Sequence, residues 1–270
     1  MKIYYILAFL ILWSLKVDAQ IQISGIIVNV ETKEPVEFAN IGIANANRGT
    51  VSNEEGKFKL EITKELSGES ITISHINYYP EKIPVKNLES GTIHLRPRTN
   101  ELAEVVVFPG KKRQRKIGVK SYNPLLWLRA SSQASDIIEN AQRINIPNKL
   151  VRVNLVNLYL REGFQTDSSY IRINFYRNVN DTPGEKIFFE NLVQKKKITP
   201  GWIQMNLREN YVYLKEDFFV GVEFLPDFKN PKEVYLGAIL TKGKGYSRNS
   251  SQGSWKKLQG ASTINVEIEF

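Results

Sequence analysis

In the stretch Ile171-Arg172-Ile173-Asn174-Phe175-Tyr176 every second residue is a buried-type apolar one, and such runs recur along the chain between turn-forming residues. A period of two sends alternate side chains to opposite faces of a strand. Short β-branched runs with regular turn signals therefore point to an all-β fold. From Leu150 onward VRVNLVNLYL, SYIRINFYRNV, EKIFFENLV, GWIQMNL, DFFVGVEFL, EVYLGAIL and STINVEIEF read as strands, separated by breakers such as Asp181-Thr182-Pro183-Gly184 and Thr199-Pro200-Gly201. Packed antiparallel, they predict a C-terminal β-sandwich of jelly-roll type over residues 121–270. Arg172, Asn174 and Tyr176 mark a face of that sheet left to water. Residues 131–146 fit either a helix or a strand, and periodicity does not separate the two.

Residues 20–108 show the same texture. Strand-like runs lie at 21–28, 38–43, 58–62, 71–73, 83–85, 92–95 and 104–108, with Gly, Asn and Glu-Pro breakers between them. The strings ISGIIVNVETKEPVEFANIGIANANRGTVSNEEGKFKL, ITISHINYYPEKI and ELAEVVV carry Gly25, Glu34-Pro35, Gly49-Thr50, Asn53 to Gly56 and Phe58 in one order. In that combination the region resembles the carboxypeptidase-like regulatory domain of exported proteins of Bacteroidetes type. The resemblance implies a seven-stranded prealbumin-like sandwich and, despite the family's name, no peptidase activity. The same domain often heads TonB-dependent outer-membrane receptors. Here 270 − 108 = 162 residues follow it, too few for a plug and a barrel of about 22 strands at roughly 9–11 residues each.

The polar tetrad Asn53-Glu54-Glu55-Gly56 reads as a hairpin turn. Asn folds its side chain over turns and Gly permits positive φ. A calcium loop needs alternating ligands and a bidentate Glu, which adjacent residues do not supply.

Lys2, the apolar run Ile3–Trp13 and Val17-Asp18-Ala19 read as a signal peptide over residues 1–19, and so as an exported protein of the periplasm or outer membrane. There is no cysteine, which removes disulfides, thiolate metal sites and a cysteine-linked lipid anchor. The formal charge of +9 is uneven. Residues 20–108 carry 9 bases and 12 acids, 9 − 12 = −3, whereas residues 109–120 carry 6 bases and no acid. That segment reads as a basic interdomain linker. Its Lys111, Lys112, Arg113, Arg115 and Lys116 are candidates for contact with an anionic lipid surface. The run lacks the interleaved aromatics of nucleic-acid binding.

No catalytic motif stands out. His75 and His94 lack the clustered ligands that zinc needs and read as structural. No Gly-x-Ser-x-Gly elbow and no phosphate-binding glycine loop occurs. No cofactor is implied. Trp127 and Trp202 sit among apolar neighbours and read as core. Trp255 lies in the polar stretch GYSRNSSQGSWKKL with Tyr246 and Arg248. These three are candidates to stack on and hydrogen-bond a sugar, against the alternative that Trp255 folds back onto the sandwich.

The reading is a non-enzymatic envelope binding or scaffold protein whose partner is an envelope protein or a glycan. Two rivals stand beside it. One is a glycan hydrolase with a carboxylate pair unmarked in sequence, recognisable as two carboxyl groups roughly 5–10 Å apart in a cleft. The other is a small outer-membrane barrel. Ile264, Val266, Ile268 and Phe270 share one face of the last strand, as in barrel sorting signals, although paired aromatic girdles are missing.

Overall fold

The computed structural model describes residues 20–44, 46–88, 91–98, 112–131, 137–161, 166–187, 191–225, 233–240 and 244–270. The signal peptide at 1–19, the strand expected at 104–108, Lys111 and residues 132–136 lie outside the described residues.

The first unit contains β1 (Gln20–Asn29), β2 (Asn40–Ile43), β3 (Arg48–Val51), β4 (Lys57–Thr63), β5 (Ser70–Ser74), β6 (Glu81–Pro84) and β7 (Gly91–Leu95). Two sheets result, β4-β1-β7 and β3-β2-β5-β6. In β4 Phe58, Leu60 and Ile62 point inward while Lys57, Lys59 and Glu61 alternate outward. Ile23 and Ile27 of β1 meet Ile41, Ile43, Ile71 and Ile73 of the other sheet in one core. This is the expected sandwich, with β3 as a strand that the sequence reading leaves unassigned.

The tetrad is a turn: Gly56 has φ +72°. Its N–H donates to the Asn53 carbonyl at 2.9 Å, and Asn53 Oδ1 accepts the Glu55 and Lys57 N–H groups at 3.0 and 2.8 Å. The hairpin expectation is corrected, however. β3 pairs with β2 and β4 pairs with β1, so the turn carries the chain from one sheet to the other.

The second unit contains β8 (Gln114–Gly118), β9 (Asn123–Arg129), β10 (Glu139–Ile144), β11 (Val151–Leu160), β12 (Thr166–Val179), β13 (Thr182–Lys186), β14 (Leu192–Ile198), β15 (Gly201–Asn206), β16 (Val212–Leu214), β17 (Phe218–Phe224), β18 (Tyr235–Ile239), β19 (Gly245–Arg248), β20 (Lys256–Lys257), β21 (Ala261–Ser262) and β22 (Ile264–Glu269). One sheet runs β13-β12-β17-β10-β19-β20, with β14 also on β12. The other runs β21-β18-β11-β22-β8, with β15 and β16 also on β11 and β9 on β18. Phe175, Phe218, Val220 and Val222 of the first sheet share a core with Val153, Val156, Leu158, Ile264 and Val266 of the second.

One open question closes here and three expectations change. Residues 139–144 are strand, within the stretch left open between helix and strand. The basic segment is not a bare linker: Gln114–Gly118 pairs with β22, where Lys116 meets Glu267 at 3.1 Å and Lys112 meets Glu269 at 3.0 Å. The last strand is no lipid-facing one. It lies between β11 and β8, and Ile264, Val266 and Ile268 are fully buried in the sandwich, whereas a membrane barrel turns its apolar face outward. Trp127 and Trp202 are 46% and 44% exposed, so neither is core. Both stand on the outer face of their sheet. The Arg161 guanidinium lies 3.5 Å over the Trp127 ring, and Trp202 packs edge-on against Tyr159, its cross-strand partner.

The two units dock through the β2–β3 hairpin. Gly42 and Gly49 are cross-strand partners on its outer face, and the 250–252 loop of the second unit lies flat against them. A Cβ at Gly49 would sit 2.7 Å from Ser250 Oγ and 2.8 Å from the Ile41 carbonyl. Gly49→Val is therefore expected to lose about 1–3 kcal/mol through overpacking. It should also expose the junction to limited proteolysis. An unchanged melting temperature and cleavage pattern would show that the hairpin does not hold the units together.

Candidate functional site

The face of β12 that the alternation assigns to water is covered. Arg172, Asn174 and Tyr176 are only 3%, 7% and 2% exposed, because the first unit and the Trp255 segment lie over them. Alternation tells which residues share a face, not what packs on that face.

Register places four charges in one row across four strands. Arg172 of β12 lies opposite Glu223 of β17, Glu223 opposite Glu139 of β10, and Glu139 opposite Arg248 of β19. Like charges directly opposite are unfavourable, and here the outer arginines compensate the inner carboxylates. Arg248 Nε donates to Glu139 Oε2 at 2.7 Å, and Arg172 Nη1 approaches Glu223 Oε2 at 3.4 Å. Between the acids, Asn174 Nδ2 donates to Glu139 Oε1 at 2.8 Å and to Glu223 Oε1 at 3.0 Å. Tyr176 donates its hydroxyl to Glu139 Oε1 at 2.8 Å, and Lys186 Nζ donates to Asn174 Oδ1 at 2.8 Å.

Both glutamates have no exposed surface, which acts to raise their pKa. For Glu139 the charges of Arg248 and Lys186 and two hydrogen bonds outweigh burial and hold it below the usual carboxylate range. Glu223 is pushed up, by burial first and by the Glu139 charge second. Burial and Glu139 keep the Tyr176 hydroxyl protonated.

Arg172 also ties the units together. Its Nη1 and Nη2 donate to Asn40 Oδ1 and to the Phe38 carbonyl, each at 2.7 Å. Phe38 sits at φ +55°, a strained conformation for a bulky residue, with its ring 5.0 Å from Tyr170. Tyr170 in turn donates to Glu54 of the turn between β3 and β4.

Above the row, between the units, opens a cavity of about 380 Å³. Its wall includes Asn40, His75 and Tyr78 of the first unit and Arg172, Lys186 and Arg248 of the second. Glu139 and Glu223 do not reach that wall.

His75 Nδ1 accepts the Asn77 N–H at 3.2 Å. Burial first, then the Arg172 and Lys186 charges, lower its pKa from 6.5 to about 4. The folded state thus prefers neutral His75. The resulting stability is fully present above pH 6.5 and is lost as pH falls through about 4. It amounts to something on the order of 2–3 kcal/mol. His75→Gln is expected to flatten this part of the stability–pH curve, as measured by urea unfolding at stepped pH. An unchanged curve would place the proton elsewhere.

Of the three residues singled out in the sequence, Arg248 lines the cavity while Tyr246 and Trp255 do not. Tyr246 is buried against Phe219 at 5.5 Å. Trp255 folds back onto the sandwich, edge-on to Tyr176 at 5.3 Å and 4.4 Å from the Arg248 guanidinium. Of the basic set, Lys112 and Lys116 are ion-paired as above, and Arg113 and Arg115 are exposed along the edge strand. Sequence reasoning missed Arg172, Lys186 and the two glutamates. Only the cross-strand register, set by segments far apart in the chain, could have aligned them. Among the described residues no group of three or more His, Asp or Glu is placed to hold a metal ion.

Residues 23–107 match the family model described as CarboxypepD_reg-like domain. Over 96 residues the chain is 34% identical to the TonB-dependent receptor SusC of Bacteroides thetaiotaomicron, a match covering 34% of this chain and 9% of the receptor. The chain thus spans under a tenth of that relative's length. Among solved structures, the cysteine protease and lectin-like domains of Cwp84, a surface layer associated protein of Clostridium difficile, superpose with a TM-score of 0.43 at 10% identity, covering 82% of this chain and 45% of that one. Clostridial Cwp84 after propeptide cleavage gives 0.42 at 9% identity, covering 90% of this chain and 61% of that one. Likenesses at this level carry no argument about function.

Proposed function

We infer that this chain, whose N-terminal unit is a CarboxypepD_reg-like domain, is an exported, non-enzymatic binding or scaffold module of the bacterial envelope. It takes its ligand, an envelope glycan or a group on an envelope protein, in the cleft between its two units. The single observation that carries this reading is the cleft wall. Side chains of both units converge there, while Glu139 and Glu223 are sealed behind it. A site built from two packed units recognises by shape and charge, and it is completed only when both are docked. The exposed Arg113 and Arg115 edge would add weak contact with anionic headgroups.

Fractionation of native cells together with a glycan array tests this. Recovery in the envelope fraction with retained array signal is expected. Recovery in the cytosol, or an empty array together with an empty pull-down from envelope extract, would end the reading.

A glycan hydrolase is the second reading, and one observation favours it: Glu139 and Glu223 are close enough to share one amide group. Against it, hydrolysis needs carboxyl groups facing the scissile bond. Here both are buried, and each is held by an arginine.

A further inference from the structure

We propose that the ligand of this cleft carries an oxyanion, a carboxylate or a phosphate, on a sugar-sized body. The proposal rests on the cleft-binding reading above and specifies its chemistry. Among the described residues four cations line the cavity, Arg98, Arg172, Lys186 and Arg248, and no Asp or Glu does. Behind the wall Glu223 compensates Arg172 and Glu139 compensates Arg248. Four cations against two acids leave an excess of two. Of these cations, Lys186 donates to the neutral Asn174 Oδ1 and Arg98 stands at the exposed rim.

An oxyanion supplies acceptors only, which matches a described wall whose charged groups are all donors. A volume of about 380 Å³ admits a body of one or two sugar rings. Half-buried Tyr78 in the wall offers ring surface to its apolar faces.

Calorimetric titration of the full chain with three probes tests this: a disaccharide ending in glucuronate, glucose 6-phosphate and a neutral disaccharide of the same size. Saturable binding of at least one charged probe is expected, weakening with salt, with the neutral probe at least about tenfold weaker. Preference between the two charged probes decides carboxylate from phosphate. Lys186→Gln is expected to weaken the charged probe by about tenfold or more, the scale of one lost charge-assisted hydrogen bond. Because Lys186 is half-buried, Arg98→Gln at the exposed rim provides a second variant that leaves the packed core untouched, and a smaller loss in the same direction is expected. Equal binding of the neutral probe, or charged-probe binding untouched by both variants, overturns the anionic class while leaving a cleft that binds. Failure of all three probes on folded protein overturns the anionic class, and an empty glycan array on the same sample would take the cleft-binding reading with it.

Discussion

Arg172→Met is expected to lower the unfolding free energy by roughly 3–5 kcal/mol, the usual loss when one partner of a buried ion pair is removed. The substitution leaves Glu223 buried beside Glu139 with no arginine of its own, and it strips Asn40 and the Phe38 carbonyl of their donor across the junction. The loss should fall on the docking of the units as well as on the second sandwich, so unfolding should broaden or divide into two transitions in calorimetry. Arg172→Met combined with Glu223→Gln should recover part of the stability, because the uncompensated charge is gone. A single variant as stable as the parent would mean that the row Arg172–Glu223–Glu139–Arg248 is not a coupled unit.

Glu139→Gln carries the second large effect. It removes the carboxylate that accepts from Arg248, Asn174 and Tyr176 and leaves the arginine uncompensated, again at roughly 3–5 kcal/mol. The site has an independent probe in Gly221 on the adjacent strand. A Cβ there would lie 2.2 Å from Glu139 Oε1 and 2.8 Å from the Tyr176 ring. Gly221→Ala is thus expected to displace the same carboxylate, at about 1–3 kcal/mol. Since both changes act on one group, the double variant should lose clearly less than the sum. Additive losses in urea unfolding would show that Gly221 and Glu139 act separately.

Much of the architecture was legible in the residues. The alternation of Phe58, Leu60 and Ile62, and that of Ile171, Ile173 and Phe175, identifies strands and inward faces, because a one-residue slip would put every apolar side chain in water. Gly56 and Asn53 mark their turn by chemistry alone. What lay beyond reach was pairing. β3 is short and carries Gly49, so it lacks the pattern of a strand, and Gln114–Gly118 is too charged to read as one until Glu267 and Glu269 are set opposite. The cleft was hidden for the same reason. Arg172 and Asn174 look like solvent-facing residues until the first unit covers them. Glu139 and Glu223 are ordinary acids until register makes them neighbours. Of the charged row, Arg248 alone stands out in the sequence as a site candidate, a polar neighbour of Trp255 in a sugar-binding set with Tyr246. The Trp255 ring instead covers Arg248 from outside.

The proposed role requires that the cleft hold a ligand and leave it intact. One titration of the full chain with the tighter-binding of the two charged sugars in a calorimeter, with the sugar recovered and analysed afterwards, tests it most directly. A saturating isotherm with the sugar unchanged is the expected result. A continuous heat of hydrolysis with cleaved sugar, abolished in Glu139→Gln under conditions where that variant is still folded, would contradict the account and make the buried carboxylates a catalytic pair.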